Sequence, residues 1–266
     1  MAKKFLIAGI DESGRGSLIG PMILAGVIID KKYEKDMIKI GVKDSKELSP
    51  RRREELAKEI EKIAKDIVIL RVPACKIYSY IKKKVNLNKI EAMKIAEIIE
   101  MTNFDKIFID APQKINNGGM KPDKFIKLIL SFLKNPEKKK SKIVVDNYLD
   151  ESIPIVSAAS IIAKVERDKQ VEELNRKLDI QLINGYPSDP KAIEFVEKNI
   201  LYGAEPSPYV RWHWSSVGDI AERLKREGKK FQPWVESEIL NKDSWQRKLK
   251  DFLFKKKKEN CIEEKS

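Results

Sequence analysis

The sequence predicts an α/β protein in which a central mixed β-sheet is flanked by helices and followed by a helical C-terminal extension. Short apolar runs of strand length recur between residues 5 and 145, and amphipathic stretches of helical length stand between and after them. This order, in which strands come first, then alternate with helices and finally give way to helices alone, is typical of a sheet covered by helices.

Five apolar runs have the length of strands. They are residues 5–10, 22–29, 67–72, 106–110 and 142–145. After the first of them, Gly14, Gly16 and the pair Gly20-Pro21 interrupt any regular pattern. We therefore expect an irregular connection directly after the first strand.

Five longer stretches are predicted to be helical from the spacing of their apolar residues. They are residues 50–65, 88–101, 123–133, 156–178 and 189–199. The first has a clear start, because Ser49 is an N-cap residue type and Pro50 suits a first helical turn. After about residue 215 the chain is poor in strand signals and is expected to be helical or irregular.

The chain is strongly basic. Of its 266 residues, 54 are lysine or arginine and 41 are aspartate or glutamate, which gives a formal net charge of +13. An anionic partner is the natural interpretation, and nucleic acid is the commonest one for a soluble basic protein. A generally lysine-rich proteome would give the same balance without such a partner.

Residue usage also excludes several classes of protein. The two cysteines, Cys75 and Cys261, are far apart and form no disulfide framework or metal-type spacing, so a cytoplasmic location is expected. No run reaches the roughly 18 apolar residues that a membrane span needs. Because His213 is the only histidine, chemistry that needs two histidines is excluded. Hydrolysis would have to rest on carboxylates, lysines or hydroxyls, and carboxylates usually act with a divalent cation.

Three of the predicted strands stop at an acidic residue, namely at Asp11-Glu12, at Asp110 and at Asp146. Taken singly, each carboxylate could simply cap the turn that follows. Together they indicate convergence, because strand ends gather at one edge of an α/β sheet, where such folds place their sites. Crowded carboxylates are tolerated when cations bind between them, and two divalent ions about 4 Å apart suit phosphodiester hydrolysis.

Asp11 and Glu12 are neighbours and would face opposite sides of a regular strand. For both carboxylates to reach one metal centre, we expect the strand to end at this point. The glycines that follow make a bend possible.

Five blocks, in sequence order, resemble the signatures of the ribonuclease HII family. They are Asp11-Glu12-Ser13-Gly14-Arg15-Gly16 with Gly20-Pro21, Asp44-Ser45-Lys46 with Leu48, Ile109-Asp110-Ala111-Pro112, Ser157-Ala158-Ala159-Ser160-Ile161 with Ala163-Lys164-Val165 and Arg167-Asp168, and Gly185-Tyr186-Pro187-Ser188-Asp189-Pro190. The family usually has alanine or valine where this chain has Ser13. The general character is archaeal or eukaryotic-like.

The resemblance implies a ribonuclease H-like fold and a site of four acids that binds Mg²⁺ or Mn²⁺, with two ions expected. Asp11, Glu12 and Asp110 carry over directly as catalytic metal ligands. The family places its fourth acid seven residues before the serine that opens the long-helix signature, which is Asp150 here. Asp146 stays as the alternative, because the segment around both residues departs from the family's lysine-rich lead-in.

The resemblance also assigns substrate contacts. The backbone of Gly14, Arg15 and Gly16 and the hydroxyl of Tyr186 are expected to grip the ribose, whose 2′-hydroxyl distinguishes RNA from DNA. Arg15 could also give a charge-assisted bond to phosphate. Further phosphate contacts are expected from Lys46 and Lys164. The alternative for the lysines is a solvated surface charge, and for Tyr186 a packing role in a turn.

The segment Arg211-Trp212-His213-Trp214 admits two interpretations. Aromatic rings beside arginine could stack on nucleotides. They could equally pin the C-terminal helices to the domain, and we favour packing because large aromatic side chains dominate cores.

By resemblance, we expect residues 1–217 to form a ribonuclease H-like catalytic domain and residues 218–266 a helical extension with a basic tail at 255–258. The expected activity is cleavage of the RNA strand of RNA–DNA hybrids and of single ribonucleotides in duplex DNA, by a monomer whose tail could bind a sliding clamp. Two alternatives stay open: a non-catalytic hybrid- or DNA-binding protein, and another ribonuclease H-like nuclease such as ribonuclease HIII or a resolvase.

Overall fold

A computed structural model describes residues 4–42, 48–112 and 120–240. Within these ranges the chain forms a five-stranded mixed sheet with helices on both faces, which confirms the predicted fold class. The strands are β1 (Leu6–Ser13), β2 (Met22–Asp30), β3 (Asp66–Val72), β4 (Lys106–Asp110) and β5 (Ile143–Asp146). The helices are α1 (Glu34–Lys39), α2 (Pro50–Ile63), α3 (Ala74–Lys82), α4 (Leu87–Met101), α5 (Pro122–Leu130), α6 (Pro136–Lys140), α7 (Leu149–Ser152), α8 (Pro154–Leu178), α9 (Pro190–Tyr202) and α10 (Ser215–Arg226).

The sheet has the strand order β3-β2-β1-β4-β5. Strands β1, β2 and β3 form an antiparallel meander, whereas β1, β4 and β5 run parallel to one another. In the parallel half, Ile10 pairs with Ile109. The carboxyl ends of β1 and β4 therefore lie side by side at one edge of the sheet.

Alternation along β1 supplies both faces of the sheet with apolar side chains, as the period of a strand requires. Leu6, Ala8 and Ile10 pack with the core under α3, α4 and α5. Ile7 packs on the opposite face, in the core under α1, α2 and α8. Both faces are buried, which explains why β1 and β2 are almost uninterruptedly apolar.

Helix α8 lies very close to β1. A side chain at Gly9 would bring its Cβ within 2.3 Å of the carbonyl oxygen of Ile155, so only glycine fits there. The next turn of α8 contains the small buried residues Ala158 and Ala159, which suit a close approach to the sheet. This contact fixes the start of α8, and the turn before it, next to the end of β1.

The C-terminal part of the described chain packs on a third core. Helices α9 and α10, a helical turn at Pro233–Val235 and a π-helical turn at Glu236–Leu240 enclose Leu18 and Ile19 from the loop after β1. Trp212 is buried there with its ring edge-on to Trp234, which confirms packing for that residue. The predicted domain boundary after residue 217 falls inside α10, and residues 241–266, with the lysine tail, lie outside the described residues.

One expectation about local structure was wrong, and four short helices were missed. Strand β1 does not end at Asp11-Glu12, because both residues and Ser13 remain paired with β2. The sequence pattern did not predict α1, α3, α6 and α7, since six, nine, five and four residues give too few turns for a periodic pattern. Of the helices in the described ranges, none combines the length and the apolar composition that crossing a bilayer requires.

Candidate active site

Asp11 and Asp110 lie at the neighbouring ends of β1 and β4. Each is buried, with 7% of its surface exposed. One carboxylate oxygen of Asp110 accepts a hydrogen bond of 2.8 Å from the backbone N–H of Leu149, the first residue of α7. This bond holds the short helix α7 against the end of β4.

Asp150 lies on α7 and is also buried, with 4% exposed. The hydroxyl of Ser157 donates a 2.6 Å hydrogen bond to its carbonyl oxygen, which ties the turn to α8. The seven-residue spacing between these two residues therefore corresponds to a direct contact in the fold.

Asp11, Glu12, Asp110 and Asp150 form one acidic cluster. Burial raises the pKa of Asp11 well above its ordinary value, and the negative charges of the other three acids raise it further. A hydrogen bond from the hydroxyl of Ser160 acts in the opposite direction. The four acids named by the sequence thus share one electrostatic environment, although Glu12 follows Asp11 within a continuous strand.

Asp146 is placed differently. Its backbone pairs with Asp110 in the sheet, but its side chain is exposed and accepts a 2.8 Å bond from the neighbouring N–H of Asn147. It is not among the charges that raise the pKa of Asp11. The fold therefore brings Asp150 rather than Asp146 into the acidic cluster.

A fifth acid, Glu91 on α4, was missed by the sequence analysis. It is fully buried, and its Oε2 accepts a 3.0 Å hydrogen bond from Nε of Arg15. Burial, followed by the charge of Glu12, raises the pKa of Glu91, while Arg15 lowers it. The sequence did contain a signal for this burial. Glu91 precedes Ile95 by one helical turn and Ile98 by two, so it lies on the apolar side of α4, where a charged residue is unusual.

Arg15 is held by protein groups on both sides of its guanidinium. Besides Glu91, it donates to the side-chain oxygen of Asn88. Only 19% of the Arg15 side chain is exposed. Its guanidinium therefore serves first to anchor the loop to α4, and the phosphate contact suggested by the sequence would have to use its remaining donors.

Residues 14–21, called here the glycine-rich loop, connect β1 to β2. Gly14 and Gly20 adopt φ values of +77° and +88°, which favour glycine. A Cβ at Gly14 would lie 2.6 Å from Nε of Arg167. Gly16, in contrast, is exposed, and its nearest neighbour would be the ring of Tyr186 at 3.8 Å.

Residues 183–189, called here the tyrosine loop, are rigidly built around Asp189. One oxygen of Asp189 accepts the backbone N–H groups of Ile183, Asn184 and Gly185 at 2.8, 2.9 and 2.9 Å. The carbonyl of Gly185 in turn accepts N–H groups from the glycine-rich loop. The two loops form one unit, which places half-buried Tyr186 beside Gly16.

The two lysines predicted to contact phosphate differ in what the structure shows. Lys164 on α8 donates to Asp168, which also accepts a 3.2 Å bond from Arg53. Its side chain is 31% exposed, so its ammonium is fixed in place but still accessible. Lys46 lies outside the described residues.

The donor set of the acidic cluster fits a hard divalent cation. Within residues 4–42, 48–112 and 120–240, no three histidine, cysteine or acidic side chains stand close enough to hold a metal ion together. Mg²⁺ does not require three protein ligands, since it commonly takes one or two carboxylates and completes its octahedron with water and substrate phosphate. Oxygen ligands from aspartate and glutamate are the type that Mg²⁺ and Mn²⁺ prefer.

Comparison with known proteins identifies the family. The family model described as Ribonuclease HII matches residues 8–217. The chain belongs to the ribonuclease HII family. The ribonuclease HII of Methanosarcina mazei is 39% identical over 225 residues, which cover 83% of this chain and 99% of that protein.

Solved structures of ribonucleases H agree in fold. The ribonuclease H2 of Pyrococcus horikoshii has a TM-score of 0.71 at 33% identity, covering 84% of this chain and 100% of the other. The ribonuclease HII of Archaeoglobus fulgidus, described in a complex with PCNA, has a TM-score of 0.67 at 37% identity, covering 80% and 96%. As a member of this family, the protein is an endoribonuclease, which confirms the predicted family and enzyme class and sets aside a non-catalytic binding protein.

Proposed function

We propose that the protein cuts the RNA strand of RNA–DNA hybrids, including single ribonucleotides embedded in duplex DNA, on the 5′ side of a ribonucleotide. The products would carry 3′-hydroxyl and 5′-phosphate ends. The observation that carries the proposal is the juxtaposition of the acidic cluster with the glycine-rich and tyrosine loops. Strand β1 delivers Asp11 and Glu12 and runs directly into Gly14 and Gly16, beside Tyr186.

Asp11, Glu12, Asp110 and Asp150 are the residues that would hold two divalent ions, Mg²⁺ or Mn²⁺. When bound, such ions supply an activated water and neutralise charge on the leaving oxygen. The raised pKa of Asp11, caused by burial and then by its acidic neighbours, supports the assignment, because this crowding is relieved by cations.

The protein's own part in this reaction is to bind and orient the substrate. The N–H groups of the glycine-rich loop and the hydroxyl of Tyr186 would contact the ribose, whose 2′-hydroxyl both donates and accepts hydrogen bonds. Lys164, fixed by Asp168, would contact a phosphate. Lys46 is proposed for the same task from its sequence block alone.

A partner is proposed for the C-terminal extension. The ribonuclease HII of Archaeoglobus fulgidus is described in a complex with PCNA, a sliding clamp. We propose that this chain acts as a monomer and that the tail of the extension, residues 241–266, contacts a clamp. Gel filtration of the full chain and of residues 1–240, each with and without an archaeal clamp, tests this: a complex that survives the truncation would contradict a role for the tail.

The activity is tested with four labelled duplexes of one sequence: DNA, DNA with one ribonucleotide, an RNA–DNA hybrid, and RNA. We expect cleavage of the second and third with Mg²⁺ or Mn²⁺, and none with a chelator or in Asp110→Asn. Products should be extended by a polymerase and joined by a ligase, as their proposed ends require. Cleavage of the hybrid but not of the single-ribonucleotide duplex would contradict the finer substrate assignment.

A further inference from the structure

Arg211 is a fully buried arginine that binds the glycine-rich loop. Its guanidinium donates hydrogen bonds to the carbonyl oxygens of Arg15 at 2.6 Å, Gly14 at 2.7 Å and Gly20 at 3.1 Å. Its side chain also lies 5.2 Å from the ring centre of Trp214. Three carbonyl groups of one eight-residue loop thus converge on one side chain that comes from the far end of the domain.

The burial of this charge is unusual. Within the part of the chain that the structure describes, no acidic side chain forms an ion pair with Arg211. Burial, together with the nearby charges of Arg167 and Arg15, lowers its pKa to about 9. A buried cation carries a large desolvation penalty, and here loop carbonyls rather than a carboxylate compensate it. An apolar side chain of similar size would fill the space without that penalty, so packing alone does not explain the arginine.

The geometry of the peptide unit shows what the contact does to the loop. In a trans peptide the C=O of one residue and the N–H of the next point in opposite directions, and the described residues contain no cis peptide. With the carbonyls of Gly14 and Arg15 turned towards Arg211, the N–H groups of Arg15 and Gly16 point away from it. Among the described residues, neither N–H has a backbone or side-chain acceptor.

These two donors lie where an oxygen-rich ligand would meet them. Gly16 is exposed and faces the ring of Tyr186, and Trp214 donates to the carbonyl of Gly16 at 3.3 Å, which holds the next peptide as well. Successive N–H groups that point the same way form a concave site for an electronegative oxygen. The buried positive charge behind them strengthens the attraction.

We propose that Arg211 is a positioning residue for ribonucleotide recognition: by holding the carbonyls of Gly14, Arg15 and Gly20, it presents the N–H groups of Arg15 and Gly16 to the ribose. The inference rests on the proposed function, because it assumes that these N–H groups contact the 2′-oxygen. It assigns the selection of ribose over deoxyribose to a residue about 200 positions away from the loop.

Two variants and one matched control test this role. Arg211→Lys keeps the charge but cannot span three carbonyls, and Arg211→Gln removes the charge. Trp212→Phe is the control, since Trp212 is also buried and adjacent to Arg211, but its indole N–H donates to the carbonyl oxygen of Ser207 rather than to the glycine-rich loop. Melting temperature, kcat and KM are measured for each on the single-ribonucleotide duplex and on the long hybrid. Binding of ribo- and deoxyribo-duplexes is compared in an Asp110→Asn background.

We expect both Arg211 variants to lose about tenfold to a hundredfold in kcat/KM on the single-ribonucleotide duplex. Their preference for ribose in binding should fall by a similar factor, while Trp212→Phe, at a comparable melting temperature, keeps it. Folded Arg211 variants with normal preference would overturn the inference and leave Arg211 as a structural crosslink. Absence of ribonucleotide cleavage by the wild type would instead contradict the proposed function.

A measurement on the unmodified protein covers the case in which both variants fail to fold. The amide signals of Arg15 and Gly16 are followed by nuclear magnetic resonance while a duplex with one 2′-fluoro or one ribonucleotide is added in Ca²⁺. The inference requires both signals to shift, and to shift differently for the two duplexes. Unchanged Arg15 and Gly16 signals in a saturated complex would overturn it.

Discussion

At the residue scale, burial separates acids that look alike in the sequence. Asp110 and Asp146 both end short apolar strands, and Asp150 follows four residues after Asp146, yet Asp110 and Asp150 are buried in the acidic cluster and Asp146 is exposed. Buried carboxylates with acidic neighbours are poised to bind cations, whereas an exposed one next to a turn is an ordinary capping group. The two classes make different predictions for substitution.

Asp150→Asn should lose far more activity than Asp146→Asn. We expect a loss of at least about a hundredfold for Asp150→Asn, because it removes the charge of a proposed metal ligand at nearly constant volume. Asp146→Asn should stay near wild type, since its amide oxygen can still accept the N–H of Asn147. Turnover of both, beside melting curves, is the measurement, and the reverse ranking would mean that Asp146 is the fourth ligand.

Tyr186→Phe tests the ribose contact. The substitution keeps the ring beside Gly16 and removes one hydroxyl, which should cost roughly 1 to 3 kcal/mol, or about tenfold to a hundredfold in rate. Tyr186→Ala should cost more. The loss should be largest on the single-ribonucleotide duplex, where no neighbouring 2′-hydroxyl can substitute. If both variants cut that duplex normally, Tyr186 is a packing residue.

At the element scale, the site depends on how closely α8 approaches β1. The contact at Gly9 sets the distance between the strand that carries Asp11 and the helix that carries Ser157 and Ser160. Ser157 binds the carbonyl of Asp150, and Ser160 binds Asp11. The spacing of two secondary-structure elements is thereby transmitted to the spacing of two acids.

Gly9→Ala should therefore damage both stability and activity. Its Cβ would meet the backbone of Ile155 at 2.3 Å, which forces α8 to shift and should cost at least about 1 to 3 kcal/mol. Gly26→Ala is the matched control in the adjacent strand, because there the Cβ meets side chains, Ile98 at 2.7 Å and Ile10 at 3.7 Å, rather than the backbone of α8. We expect both substitutions to lower the melting temperature, and Gly9→Ala alone to lower kcat of the folded protein. Equal effects of the two substitutions on kcat would contradict this account of the site.

At the scale of the whole molecule, charge is unevenly distributed. The chain carries a net charge of +13, yet the candidate site concentrates buried acids. Repulsion among these acids opposes folding, and the basic surplus favours an anionic substrate. Stability, metal binding and substrate binding are therefore coupled through electrostatics, which gives three further predictions.

Asp110→Asn should stabilise the metal-free protein while it abolishes cleavage. Burial is the largest cause of the raised pKa of Asp11, and the substitution removes one of the charges that add to it. The hydrogen bond from the backbone N–H of Leu149 can persist, because the asparagine side chain still offers an acceptor oxygen. We expect a gain of about 1 kcal/mol without metal, and a smaller rise in melting temperature than wild type on addition of Mn²⁺. A variant less stable than wild type in a chelator would contradict the idea that these acids repel.

The pH dependence of stability follows with a definite sign. Because the folded pKa of Asp11 is raised, the folded state holds this proton where the unfolded state has lost it. The contribution of Asp11 to stability therefore falls as the pH rises through its folded pKa. The free energy of unfolding of the metal-free wild type and of Asp110→Asn is compared in mild acid and at neutral pH. The decrease in stability between mild acid and neutral pH should be larger for the wild type than for Asp110→Asn.

Removal of residues 255–266 tests the basic tail. Each phosphate that a lysine neutralises changes the logarithmic salt slope of binding by about one unit. Truncation before Lys255 should weaken binding at low salt, reduce the slope by up to about four units and leave saturated turnover unchanged. An unchanged slope would make the tail an inert extension or a docking site for a protein partner.

The sequence by itself determined the α/β class, the approximate positions of the strands, and Asp11, Glu12 and Asp110 near the ends of β1 and β4. These follow from local signals: apolar runs for β1 and β4, the Ser49 cap for α2, and glycines after β1. Order along the chain also sufficed to name Gly16 and Tyr186 by resemblance. Such features can be predicted from the sequence because each depends on residues close to one another in the chain.

Only the tertiary structure decided which side chains meet. It placed Asp150 rather than Asp146 beside Asp11, through the packing of α8 on Gly9, and it brought Glu91 to Arg15. It also buried Arg211 under the carbonyls of a loop almost 200 residues earlier. The burial of a side chain and its hydrogen-bond partners depend on how separate elements pack. A charged side chain is tolerated inside the protein only where that packing supplies its hydrogen bonds.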